Sequence, residues 1–330
     1  MKKILFTCLF LILIIVSLLY PAQIVDASKQ GLLIWFEQIL PALLPFTILS
    51  TLLLKSNFLQ SFSANGNLLA ISITMTCGFI FGFPIGAKLS SDFYKSNLLT
   101  EKQAAILSVA SNNFSPMYVC GFVLPALFSM ESLENVRFET LRSAAYILLY
   151  LIPLCIASIL LTLDTNIHSK HNLSQAKYSD MTLQNSKTMD SSNKTHSSTF
   201  QLTMSYLDDS IMAGFKTLIK LCGYIVFFSI FVRILEILFP FTNLPFTILL
   251  ANLEITNGIQ LLFHKHLSQA DTYIFAIQLL SLGGLSGIVQ TNSIFGDSKL
   301  SIYKYIIGKV TLSLSLTLLT VIYVSYFIRF

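Results

Sequence analysis

Two pairs of glycine- and amide-rich interruptions, each lodged inside long apolar sequence, constrain this chain more than any other feature. The first pair is Gly82-Phe83-Pro84-Ile85-Gly86-Ala87-Lys88, followed by Ser111-Asn112-Asn113-Phe114-Ser115-Pro116. The second is Asn252-Leu253-Glu254-Ile255-Thr256-Asn257-Gly258, followed by Gly283-Gly284-Leu285-Ser286-Gly287. At membrane depth, backbone outside a helix survives only where protein buries it or a wet cavity bathes it. A matched pair of broken segments in two halves of a chain points to the central site of a transporter.

The composition places the chain in a bilayer. Apolar residues make up 54% of the 330 residues and charged residues 11%, against roughly 25% charged in soluble domains. The fold class expected is all-α, a polytopic membrane protein with about 20 residues per span. The net charge of +5 is dispersed, so no nucleic-acid face is expected, since that needs clustered Lys and Arg. The five cysteines, Cys8, Cys77, Cys120, Cys155 and Cys222, lie in apolar stretches without metal-ligand spacing, and read as small core residues. No Ser-His-Asp set, P-loop or H-E-x-x-H motif stands out. No enzyme activity, cofactor or metal is therefore expected.

Along the chain, Lys2 and Lys3 precede an apolar run over residues 4–20. It resembles a signal peptide but is longer than a usual one, and an uncleaved span with both lysines cytoplasmic fits better. Residues 26–38 form a short amphipathic stretch with Trp35 as an interface anchor. Apolar helices follow over 40–54 and 68–81. Thr100-x-x-Gln103 is a capping box opening a helix over 101–111, which resumes over 117–128. After a charged connection at 131–142, residues 143–163 make a clean span. Residues 164–203 turn polar, rich in Ser, Thr, Asn and Lys, the composition of a disordered linker.

The second half runs 206–239, 245–250, 259–263 and 272–282, then from the Gly283–Gly287 break to Phe295. Residues 297–309 are charged and 310–328 form the last span. The expected organisation is an N-terminal transmembrane segment (1–24), a first repeat with its following span (25–163), a disordered cytoplasmic linker (164–204), and a second repeat with the last span (205–330). With the N-terminus inside, the two hairpins approach from opposite faces, as in an inverted repeat.

Candidate site residues follow from the interruptions. Pro84 and Gly86 cannot continue a stable helix without cost, and a half-helix starting there would turn its positive end inward, with Lys88 adding charge. Helix packing through Gly78-x-x-x-Gly82 and Gly82-x-x-x-Gly86 is the competing reading. Ser111, Asn112, Asn113 and Ser115 offer donors and acceptors between apolar helices, or else glue helices together. Glu254 is an ionisable group inside a span and so a functional candidate, with Thr256 and Asn257 as neutral contacts. An ion pair with Lys88 or Arg233 is its structural alternative. Ser286 and Gln290 are polar liners of the last break. His264 and His266 read as interfacial.

These four motifs, in this order, resemble the bacterial nucleoside-recognition (Gate domain) membrane family, and within it the YlbJ/SpoVV sporulation integral membrane proteins. The resemblance runs from about Gly31 to Tyr305. It implies a fold similar to concentrative nucleoside transporters, with two inverted repeats, each holding a re-entrant hairpin and a broken helix. It also implies transport of dipicolinic acid across the outer forespore membrane during sporulation. A nucleoside or nucleobase carrier coupled to an ion, and a sporulation membrane scaffold that transports nothing, are the alternatives. The expected partners are a small-molecule substrate, dipicolinate or nucleoside-like, and the lipid bilayer, with a homo-oligomer left open. The insert at 164–203, and Gly287-Ile288-Val289-Gln290 where a more polar stretch with histidine is expected, depart from that pattern.

Overall fold

The computed structural model describes residues 2–55, 66–127, 135–175, 196–240, 243–263, 265 and 267–327. Every regular element among the described residues is helical. Helix α1 (Lys2–Leu19) gives way to α2 (Pro21–Ile34) through a bend of 105° between Phe10–Leu19 and Pro21–Glu37. Pro21 stands at the first position of α2, where its missing N–H costs nothing but where it cannot prolong α1. The amphipathic stretch around Trp35 is not a separate element: a π turn (Trp35–Ile39) carries α2 into α3 (Leu40–Lys55). The Trp35 indole donates to the Leu218 carbonyl at 2.9 Å, so this side chain ties two helices together.

Helices α4 (Gly66–Phe81) and α5 (Ile85–Lys95) form a hairpin around Gly82-Phe83-Pro84. Helix α6 (Glu101–Ala110) opens with the capping box: Thr100 accepts from the Gln103 backbone while the Gln103 side chain accepts from Thr100 N–H. It stops at Ala110, and Pro116 starts α7 (Pro116–Tyr118), which continues through a π turn (Val119–Val123) into α8 (Leu124–Leu127). Then α9 (Asn135–Tyr146), a π turn (Ile147–Leu151) and α10 (Ile152–Gln175) form one long run.

Helix α11 (His196–Leu238) begins the second half. The second hairpin is α12 (Leu244–Leu253) and α13 (Ile255–Phe263), with Glu254 at its tip. Helix α14 (Gln269–Leu282) is followed, after Gly283, by α15 (Gly284–Phe295). Helix α16 (Ile302–Phe327) closes the described chain. Helix thus extends into both flanks of the segment read as a linker, while its middle, 176–195, lies outside the described residues, as do His264 and His266.

Among the described residues, four runs can cross a membrane by length and composition: Glu139–Asp164, Met204–Leu238, Gln269–Phe295 and Ile302–Tyr326; the bent α1–α2 pair makes a fifth if it is one span. Helix α16 exposes Leu314 and Leu318 while burying Leu312 and Leu316. A helix that is apolar on its outer face as well as its inner one suits lipid.

The long α11 packs on α2 and α3, and α14 lies along α16. Between these pairs, α15 contacts α5, α11, α12 and α16. One buried cluster joins Leu149, Ile259, Tyr273 and Ile277; another joins Phe93, Leu107, Phe295 and Tyr305. Small residues set the closest approach. A Cβ on Gly78 would lie 2.6 Å from Ser111, and one on Gly86 would lie 2.3 Å from the Ser111 carbonyl. The glycine stripe therefore packs against the first interruption, and the chain breaks at Gly82 as well: both readings of that motif describe the fold.

Candidate central cavity

The two hairpin tips and the two interruptions converge on one cavity. Phe83 comes from the first tip, and Phe114, Ser115 and Tyr118 from the first interruption and the turn after it. Glu254, Ile255 and Thr256 come from the second tip. Gly283, Ser286, Gly287 and Gln290 come from the second interruption. Ile39 and Leu43 of α3 and its π turn, with Leu221 and Ile225 of α11, close the remaining side. The space open to a water-sized molecule is about 70 Å³, below the ~300–1,000 Å³ of drug-sized ligand sites, so a metabolite enters only as the walls part.

One wall is aromatic. Phe83 and Phe114 have ring centroids 5.9 Å apart, and Phe114 and Tyr118 are 5.3 Å apart, each pair tilted by about 30°. Flat apolar faces of this kind suit a flat ligand. The lining also carries polar groups. Glu254 Oε2 accepts from Asn257 N–H at 2.8 Å, and Oε1 accepts from Thr256 Oγ1 at 2.9 Å. The carboxylate thus caps α13, where the helix dipole favours negative charge. Gln290 donates to Ser286 Oγ at 2.8 Å. The starts of α5, α13 and α15 all contribute to the lining or adjoin it.

Helix α11 strings this cavity between two polar vestibules. Lys216, Lys220 and Tyr224 line one, together with Lys88, Asp92 and Gln290. Gln290 and Leu221 belong to this vestibule and to the central cavity alike. One turn beyond Ile225, Ser229, Arg233 and Glu236 line the other with Asp26, Gln30 and Asn257. From Lys216 to Glu236 is 20 residues, about 30 Å of helix at ~1.5 Å per residue, close to the hydrocarbon thickness of a bilayer.

Of the sequence candidates, Ser115, Glu254, Thr256, Ser286 and Gln290 line the cavity. Lys88 points to the basic vestibule, its ammonium on Thr51 Oγ1 at 2.7 Å, and Asn257 to the other, its amide on Ser229 Oγ at 2.9 Å. Arg233 pairs with Glu236 at 3.1 Å. Pro84, Gly86, Ser111, Asn112 and Asn113 sit behind the cavity wall. Ser111 donates to the Leu107 carbonyl. Asn112 Oδ1 accepts from Ala87 N–H at 3.3 Å, and its amide donates to Tyr305 Oη at 3.0 Å and Thr291 Oγ1 at 3.3 Å. Asn113 donates to the carbonyls of Ala110 and Leu149. At the start of α5, the N–H groups of Ile85 and Ala87 are thus taken by the Gly82 carbonyl and by Asn112.

Sequence reasoning missed Lys309. It reads as the last charge before the final span, yet α16 begins at Ile302 and buries Lys309 two turns further in. Its ammonium donates to the Asn112 carbonyl at 2.8 Å, Asn113 Oδ1 at 2.7 Å and the Ser281 carbonyl at 3.4 Å. The signal available was the setting Ile306-Ile307-Gly308-Lys309-Val310, a charge flanked by apolar residues on both sides. Among the described residues, no group of His, Cys, Asp and Glu could hold a metal ion.

These features define an integral membrane protein, all-helical among its described residues and built on two hairpins and two interrupted helices. The chain is similar to the sporulation integral membrane protein YlbJ of Bacillus subtilis (strain 168), 25% identical over 329 aligned positions that take in 91% of this chain and 77% of the relative. No family model and no solved structure matches the chain.

Proposed function

We propose that this protein is a membrane carrier for a small, flat, polar metabolite, with dipicolinic acid moving across the outer forespore membrane as the first candidate. The observation that carries this reading is the convergence of two hairpin tips and two interruptions on one cavity, strung between two vestibules along α11. Helix N-termini favour anions, and the start of α15, which carries no side-chain cap, adjoins the cavity. A vestibule with Lys88, Lys216 and Lys220 against Asp92 raises the local concentration of an anionic substrate. The aromatic wall gives a planar ring a surface to lie on. The sporulation name of the relative supports the setting.

We read the order of hairpin, interrupted helix and span in each half as two inverted repeats of the kind found in concentrative nucleoside transporters. Rocking one repeat against the other about the cavity gives alternating access.

Glu254 favours a second substrate class. A carboxylate beside Thr256 accepts hydrogen bonds from sugar hydroxyls or a base edge, whereas it repels a dianion. A nucleoside or nucleobase carrier is therefore the alternative. Thermal unfolding of the purified protein in detergent, with dipicolinate against a nucleoside panel, separates the two, because a ligand stabilises only the state it binds. Dipicolinate is expected to raise the midpoint and to be taken up by reconstituted vesicles. Stabilisation by nucleosides alone selects the alternative. Stabilisation by neither, with no uptake, removes the carrier reading.

A further inference from the structure

We propose that Lys309 is a tethered cation filling a cation site built from the ends of two interrupted helices. Helix α6 ends at Ala110 and α14 at Leu282. The last carbonyls of a helix lack partners within it and carry its negative dipole end. Here the two ends meet. The Asn112 carbonyl, just past α6, and the Ser281 carbonyl, in the last turn of α14, both accept from Lys309 Nζ, and Asn113 Oδ1 is the third acceptor. Three donors on an ammonium thus meet three oxygens, none of them a carboxylate. The side chain is 1% exposed.

The surroundings hold these oxygens in place. Asn113 is fixed by its amide on Ala110 and Leu149. Ser281 Oγ donates to Ser313 Oγ of α16 at 3.0 Å. Gly308, next to the lysine, lets α16 approach α6: a Cβ there would lie 2.7 Å from Val109. Neutral oxygens held in place, two of them backbone carbonyls and one an amide oxygen, are also what a hard monovalent cation takes up. The chain supplies that charge covalently and needs no diffusible ion to join its two halves here. The inference concerns the joint behind the cavity and stands whether or not the cavity carries a substrate.

The test compares unfolding in sodium chloride with unfolding in N-methylglucamine chloride at equal ionic strength, for the wild type, Lys309→Ala and Lys309→Met. The wild type is expected to melt at the same temperature in both. Lys309→Ala opens the site; it is expected to melt about 5–10 °C lower without sodium and to recover most of that loss in sodium. Lys309→Met fills the space with an apolar chain of similar length, so it is expected to be destabilised equally in both salts. A Lys309→Ala protein recovered folded only from sodium medium supports the proposal as a shift would. Equal instability in both salts, recovery from neither, or a sodium-dependent wild type overturns it.

Discussion

The backbone N–H of Phe83 donates to the carbonyl of Asn113 at 2.6 Å, so the tip of the first hairpin hangs on the interruption of the helix that follows it. The neighbouring Asn112 carbonyl holds Lys309. Two adjacent peptide groups thus serve opposite sides of one joint. One fixes an aromatic ring of the cavity wall, and the other anchors α16. A break in a membrane helix frees backbone groups that must find partners, and here those partners are the parts that define the cavity.

Asn112 is expected to matter more for integrity than for ligand contact. Replacing it with alanine strands Ala87 N–H and takes a donor from Thr291 and Tyr305, which keep each other at 3.4 Å and, for Thr291, the Gly287 carbonyl at 2.9 Å. The stranded group and the lost bonds cost about 2–3 kcal/mol in total. Tyr305→Phe removes the bonds from Asn112 at 3.0 Å and from Thr291 at 3.4 Å, together worth about 1 kcal/mol inside a membrane protein. Thermal or denaturant unfolding in detergent measures both. If Asn112→Ala is no more harmful than Tyr305→Phe, the network has been assigned too much weight.

How far the sequence foretold this arrangement differs by feature. The Thr100–Gln103 capping box, the stop before Ser111 and the restart at Pro116 follow from local chemistry, because caps and prolines act within one turn. The choice between lining and bracing does not. Asn112 and Ser115 sit three residues apart in one polar string, yet only Ser115 faces the cavity, because the partners of Asn112 come from helices up to 193 residues away. Lys309 was hidden for a related reason. A charge near the start of an apolar run reads as a flank unless the helix is known to begin earlier, at Ile302.

The interruption glycines are expected to separate by what their neighbours are. Gly82 has φ +69°, and a Cβ would lie 2.3 Å from the Ser115 backbone nitrogen. Gly82→Ala therefore combines left-handed strain with a clash that backbone cannot relieve, and should cost more than about 3 kcal/mol. Gly283 has φ +83° with nothing near a Cβ, so Gly283→Ala should cost only about 1–2 kcal/mol. Comparable losses for the two would contradict the close packing at the first tip.

Gly287 gives a cleaner probe of the cavity. It is helical, and its Cβ position meets only the Phe83 ring at 3.9 Å, an ordinary contact. Gly287→Ala should hold or raise stability by up to about 1 kcal/mol through helix propensity. It also narrows the space between Phe83 and α15. Ligand-induced stabilisation is expected to shrink several-fold while the unliganded melting point does not fall. An unchanged ligand response would mean that the ligand sits elsewhere.

Glu254→Gln keeps the size of the side chain and one acceptor for Asn257 N–H. It loses the charge at the start of α13 and places an amide against Thr256 Oγ1. The structural cost is about 1 kcal/mol, from the lost charge–dipole and charge-assisted bonds. The effect on ligand should be larger and its sign informative. For a dianion, removing a negative charge from the cavity should tighten binding. For a nucleoside it removes an acceptor and should weaken binding about tenfold or more. A titration of melting temperature against ligand reads either outcome, and no change in affinity for any ligand would take Glu254 out of the site.

The basic vestibule is expected to act on rate rather than on affinity. Lys216 and Lys220 line it without lining the cavity, and no hydrogen bond ties either side chain to the fold among those described. Changing both to Gln should leave stability within about 0.5 kcal/mol of the wild type, as for surface substitutions away from special contacts. It removes two of the three positive charges that offset Asp92 there. Long-range attraction of this kind raises encounter rates and fades with salt. Initial uptake of an anionic substrate into vesicles should therefore fall several-fold at low ionic strength, and the gap to the wild type should close as salt is raised. A deficit that persists unchanged at high salt would mean that these lysines touch the substrate directly, and no deficit at any salt would mean that the substrate does not pass this way.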